Sequence, residues 1–154
     1  MGSGHEALRK GRASIAGQIY LVTFTTYGRV PHFTDPDIAR DTCALLTGGE
    51  TWRDGRLLCW VLMPDHWHGL VQLGECARLP ERVQQLKGAS SRALRRTHPG
   101  LPRIWASGYH DHALRAEENM LAVARYVVAN PLRAGLARSV GDYPYWDAIW
   151  LQDA

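Results

Sequence analysis

"VLMPDHWHGLVQL", residues 61–73, decides the fold. Pro64-Asp65 is a turn signal between two apolar runs, "RLLCWVLM" (56–63) and "HWHGLVQL" (66–73). The pair reads as two antiparallel strands joined by a tight turn. Strand side chains alternate between faces, so positions i and i+2 share one side. His66 and His68 therefore project together, and Trp67 turns the opposite way. Two imidazoles on one side are either ordinary polar surface or two arms of a grip on one ion.

Outward from this hairpin, the flanking segments alternate in period. "QIYLVTFTTY" (18–27) is β-branched and aromatic, a first strand. "DPDIARDTCALLTG" is a helix, with Asp35 as N-cap, Pro36 at its first position and Gly48 ending it. "RLPERVQQLKGASSRALRR" (78–96) is a second helix with Leu79, Val83, Leu86 and Leu94 inward and Gly88 as a weak point. "YHDHALR" (109–115) is a strand. "AEENMLAVARYVVAN" (116–130) is a third helix with acids in its first turn, ended by Pro131, after which "LRAGL" has the pattern for another turn. The aromatic tail "DYPYWDAIWL" packs back on the domain. The order β-α-β-β-α-β with an extra helix predicts an α+β fold: a ferredoxin-like split β-α-β antiparallel sheet with flanking helices. In that topology the histidine strand is an inner one.

The 154 residues, 45% of them hydrophobic, suit one domain over 18–154 behind a basic N-terminal arm of residues 1–17. No stretch approaches the roughly 18 apolar residues of a membrane span, and the N-terminus lacks the apolar centre of a secretory signal. Cys43, Cys59 and Cys76 are scattered, with no CxxC pair. That argues against a disulfide framework or a thiolate zinc site and predicts a cytoplasmic protein. The net charge is only +3, but its distribution is lopsided: Arg82 to Arg103 holds six Lys or Arg and no acid. Such a helix is the footprint expected for a phosphate backbone, or else a solvated face.

On the third helix, Met120, Leu121, Val123, Ala124, Val127 and Val128 form one apolar stripe. Tyr126 falls about 140° from its centre. Asn130 follows four residues later on the same side. Either Tyr126 covers a second apolar patch and Asn130 ends the helix, or a phenol and a carboxamide are aimed jointly elsewhere. An ion held by His66 and His68 wants a third ligand, and Asn130 is a candidate. Imidazole with carboxamide oxygen suits Mg²⁺ or Mn²⁺ rather than a closed zinc site. His110 and His112 are a competing pair on another strand, with Asp111 facing away from them.

Taken together, these stretches resemble the REP-associated tyrosine transposases, a branch of the HUH single-strand DNA endonuclease and transposase superfamily. His66-Trp67-His68 is similar to the HUH motif in its usual Met-Pro-Asn/Asp setting, here Met63-Pro64-Asp65. "YVVANPLRAGL" (126–136) is similar to the family's Y-x-x-x-N-P-x-R-A-G-L. "YLVTFTTYGR", "RIWASGYHDHALRAEEN" and "GDYPYW" also match, so the resemblance covers most of residues 18 to 146. Two departures stand out. Trp67 is bulkier than the usual aliphatic residue, and the tail lacks a W-S-S after "DYP".

The resemblance implies a bacterial, nucleoid-associated enzyme of DNA transposition. Tyr126 would be the nucleophile, forming a 5′-phosphotyrosine and releasing a 3′-OH that permits rejoining without ATP. His66, His68 and Asn130 would hold Mg²⁺ or Mn²⁺. The partner would be single-stranded or hairpin DNA of the repetitive extragenic palindrome type. Arg9, Lys10, Arg12, Lys87, Arg92, Arg95 and Arg96 would meet phosphates, and Trp105 and Tyr109 would stack unpaired bases. Related enzymes also assemble sites from two chains, so a homodimer is compatible with this reading. The rivals are a non-catalytic DNA- or RNA-binding protein of ferredoxin-like fold, and a hydrolase of small phosphoesters using water as nucleophile.

Overall fold

The computed structural model describes residues 17–115 and 118–151. Arg9, Lys10, Arg12 and the rest of the predicted basic arm up to residue 16 lie outside the described residues. Among the described residues, five strands and four α-helices follow in the order β1 (Ile19–Thr25), α1 (Pro36–Thr47), β2 (Gly55–Met63), β3 (His66–Leu73), α2 (Leu79–Thr97), β4 (His110–Ala113), α3 (Met120–Val128), α4 (Asn130–Arg133) and β5 (Trp146–Ala148). The sheet order is β4-β1-β3-β2-β5, and every pairing is antiparallel. The first four strands are the expected split β-α-β arrangement, with β3 inside. The tail packs back in a specific way, adding Trp146–Ala148 to the free edge of β2 through Cys59↔Ala148 and Val61↔Trp146.

The sheet is covered on both sides. α1 and α2 bury Tyr20, Val22, Phe24, Trp67 and Val71. Ala124 and Val127 of α3 pack against Leu58, Cys59, Val61, Met63 and Leu70 on the other face. Among the described residues, no helix is long and apolar enough to cross a membrane.

Local chemistry explains the boundaries. Asp35 accepts from the amides of Asp37 (2.9 Å) and Ile38 (3.4 Å), with Pro36 opening α1. α2 runs through Gly88 without a break. Its Arg82 is buried, donating to the carbonyls of Thr51 and Asp54 and lying 5.4 Å from the Trp52 ring centroid. One of the six basic residues of that stretch is thus a staple between α2 and the turn before β2. α3 departs from expectation at its start. Asn119 caps it, accepting from Leu121 (2.9 Å) and Ala122 (3.2 Å), so no acid lies in its first turn. Glu118 sits ahead of the cap, where it accepts from the Arg115 amide and pairs with His112. Leu121, expected in the apolar stripe, is 41% exposed.

The bulky middle residue of the histidine pair has its own accommodation. Trp67 is fully buried and stacks on Phe24 at 5.0 Å. A Cβ at Gly69 would overlap the Trp67 ring. The missing side chain two residues on is the space the indole occupies.

Candidate active site

Cross-strand register places His66 between Thr25 and Met63, and His68 between Thr23 and Val61. The two rings are 4.6 Å apart, edge to face. They continue the row of Leu70, on the face that α3 covers, while Trp67 points to the α1/α2 side.

Each imidazole is fixed through Nδ1. His66 Nδ1 lies 2.7 Å from Asp65 Oδ1, and Asp65 Oδ2 accepts from Arg29 Nε at 3.0 Å. A carboxylate can only accept, so His66 donates through Nδ1, which leaves Nε2 as the nitrogen that faces away from Asp65. His68 Nδ1 lies 2.7 Å from the Thr23 hydroxyl, which is able to accept and so permits the same tautomer. Outer partners on Nδ1 with Nε2 left open are the arrangement found behind metal-ligating histidines. Burial, then the charges of His66, Arg133 and Arg29, push the His68 pKa down to about 4. It is neutral at pH 7, the form that ligates. Partial burial works against the Asp65 carboxylate, but hydrogen bonds from His66 and Arg29 and their charges outweigh it and lower its pKa.

Arg29 reaches Asp65 from a tight turn, Tyr27–Arg29, where Gly28 (φ 65°) and Arg29 (φ 56°) are both left-handed. A non-glycine residue seldom adopts that conformation. Here the Asp65 ion pair and the bond from the Arg29 amide to Thr26 O (3.1 Å) hold it.

Tyr126 points outward from α3 and is 60% exposed. The guanidinium of Arg133 lies 3.7 Å from its ring centroid, and the charge of that same group lowers the His68 pKa. Arg133 thus stacks on the phenol, and its charge is felt at His68. No carboxylate pairs with it among the described residues. Asn130 opens α4, which packs on β2, the strand next to the histidines. Its carboxamide is half-buried and makes no hydrogen bond with the described residues.

The competing pair is differently placed. His110 and His112 are exposed on edge strand β4, and His112 Nε2 faces Glu118 at 3.0 Å. Among the described residues, no group of three or more His, Cys, Asp or Glu is placed to hold a metal ion.

The basic helix divides into two kinds of residue. Arg92, Arg95 and Arg96 are exposed and line one depression. Lys87 donates to the carbonyls of Ala106 (2.6 Å) and Gly108 (2.8 Å), tying α2 to the segment before β4. Trp105, expected as a stacking surface, is buried. It packs on Phe24 and Phe33, and its indole N–H donates to Ser90 Oγ. Its core position withdraws it from base contact. Tyr109 is half-buried in a groove beside α2. Thr23, Asp65, Arg29 and Arg133 escaped the sequence reading. Asp65 adjoins His66, and Arg133 stands seven residues after Tyr126, two helical turns on; those spacings were the available signals.

The match to known proteins runs along the same elements. Residues 14–130 match the family model described as "Transposase IS200 like". A REP-associated tyrosine transposase of Escherichia coli (strain K12) is 28% identical over 87 residues, 56% of this chain. The match spans half the length of that relative. The structure of a REP-associated tyrosine transposase bound to a REP hairpin superposes with a TM-score of 0.69 at 22% identity, covering 88% of this chain and 79% of that one. At that identity the likeness establishes the shared fold. With the family model spanning β1 through the start of α4, the chain belongs to the IS200-like transposase family.

Proposed function

We propose that this protein is a metal-dependent single-strand DNA endonuclease and strand transferase, acting at DNA hairpins through a 5′-phosphotyrosine on Tyr126. The observation that carries this is the position of Arg133, stacked on the Tyr126 ring while its charge acts on His68. α3, which carries Tyr126, packs on the same face of the sheet as the two imidazoles, which supports this reading. The similar chain bound to a REP hairpin supports hairpin DNA as the substrate.

His66 and His68 would hold the ion through Nε2, with Asn130 as oxygen donor. The residues fit because both rings are fixed by Nδ1 partners and the carboxamide is unengaged. A bound Mg²⁺ or Mn²⁺ supplies Lewis acidity toward the non-bridging oxygens of a phosphodiester. The Tyr126 oxygen attacks phosphorus, the P–O3′ bond breaks, and the departing oxygen takes a proton to become a 3′-OH. The phosphotyrosine conserves the bond energy, so another 3′-OH attacks it and restores a phosphodiester. Arg133, which pairs with no carboxylate among the described residues, would stabilise the anionic charge that develops beside Tyr126. Arg92, Arg95 and Arg96 contribute salt-dependent affinity for the backbone.

The test is covalent capture on an SDS gel with Mn²⁺ and a hairpin oligonucleotide carrying single-stranded flanks. A strand labelled at its 3′ end becomes protein-linked and a 5′-labelled one does not. Tyr126→Phe abolishes the adduct while retaining binding. An adduct that survives in Tyr126→Phe would overturn the assignment, and cleavage without any adduct would favour water as nucleophile.

A further inference from the structure

The exposed arginines of α2 and the histidine pair lie on opposite faces of the sheet, so DNA touching both must pass around an edge or end. One route is marked by consecutive contacts. The depression lined by Arg92, Arg95 and Arg96 shares Ser91 with a groove of about 420 Å³ between α2 and residues 103–109. Among the described residues, neither is lined by a carboxylate. Arg103 forms part of the groove wall, and its guanidinium lies 4.6 Å from the ring centroid of Tyr27. Tyr27 begins the turn that ends in Arg29, and Arg29 bonds Asp65, which bonds His66.

Tyr27 is 54% exposed, where Trp105 is enclosed. Its guanidinium partner is fixed in place: Arg103 Nε donates to Trp105 O (3.1 Å) and Nη2 to Ser107 Oγ (2.9 Å). An ordinary solvent-facing Arg–Tyr contact requires no such anchoring. A flat ring with a cation held against it is preorganised for a π-face and loses little rotamer freedom on binding. The basic lining of the two depressions favours a polyanion over an acidic or neutral peptide.

We infer that Tyr27 and Arg103 form a stacking site for an unpaired nucleobase in the single-stranded flank of the hairpin. The base lies between the stem phosphates on α2 and the scissile phosphate at the histidines. This rests on the hairpin-nuclease reading and adds the residues that sense the flank.

The full chain is tested with two fluorescent probes, a hairpin with a single-stranded flank and the same hairpin without one. Tyr27→Ala and Arg103→Gln weaken the flanked probe about tenfold and leave the flankless probe within about twofold, whereas Tyr27→Trp restores flank binding. Long-wavelength photocrosslinking of 5-iodouracil in the flank attaches to the peptide containing Tyr27. Equal loss on both probes, no loss on either, or a crosslink confined to other peptides overturns the stacking site. Tyr126→Phe, run alongside in the adduct assay, separates the two ideas. An adduct that vanishes there while Tyr27 variants bind normally sinks only the stacking site. Failure of the unmutated protein to bind either probe sinks both.

Discussion

The Arg133 guanidinium lies 3.7 Å from the centre of the Tyr126 ring, and its charge is felt by His68. One cation is thus shared between the proposed nucleophile and a proposed metal ligand. Removing it separates chemistry from binding. Arg133→Ala is expected to slow adduct formation by about tenfold or more, since stacking and charge stabilisation are both lost. Affinity for the hairpin should change far less, because the α2 arginines remain. Arg133→Lys keeps the charge without the planar stack and should fall between. Single-turnover adduct rates set against Kd check this. Equal losses in the two quantities would make Arg133 a general DNA contact.

The side chains of Thr23 and Asp65 meet the histidine rings at Nδ1. Substituting them removes the orienting partner and leaves the ligating nitrogen in place. Thr23→Val and Asp65→Ala should each weaken Mn²⁺ binding about 10- to 100-fold, the usual effect of losing an outer partner. Titration calorimetry with Mn²⁺ alone reads this without DNA. Unchanged affinity in both variants would mean that the rings are held by packing.

His68 gives a pH dependence of definite sign. Its folded pKa of about 4 lies below the ordinary value of 6.5, so between those values the unfolded chain binds the proton more readily. This contribution to stability is complete above about pH 6.5, declines as pH falls, and is exhausted near pH 4. Its size is up to about 3 kcal/mol. Asp65, with its lowered pKa, extends the loss to more acid conditions. Denaturant midpoints measured from pH 4 to 7 should therefore rise with pH, and His68→Gln should flatten the rise. A slope that persists unchanged in His68→Gln would locate the titrating group elsewhere.

Period and punctuation were enough to read much of this molecule. The two-residue alternation through His66, Trp67 and His68 and the turn at Pro64-Asp65 describe the hairpin as it stands. The 100° spacing likewise put Tyr126 outside the core. What escaped depends on contacts distant in sequence. Trp105 and Tyr27 are both aromatic, and nothing in their neighbours tells them apart. Only the packing of Phe24 and Phe33 buries one and leaves the other at the surface. Lys87 and Arg82 look like Arg92 in a charge count, yet carbonyls of remote loops engage the first two. β5 is only three residues long and has no alternation to read; the open edge of β2 makes it a strand.

Trp67 and Gly69 form a coupled pair whose energetics are open to a double-mutant cycle. The indole fills the space a side chain at 69 would need, so Gly69→Ala must displace a fully buried ring stacked on Phe24. That substitution should cost about 1–3 kcal/mol, as overpacking does. Trp67→Val leaves a cavity and should cost on the order of 3 kcal/mol. With valine at 67 the clash at 69 is gone, so Gly69→Ala should be nearly neutral in that background. The double variant should then be more stable than the two losses summed, by about 1–3 kcal/mol. Urea unfolding of the four proteins measures this coupling directly. Strict additivity would show that Gly69 is required for the backbone of β3 and not for the indole behind the histidines.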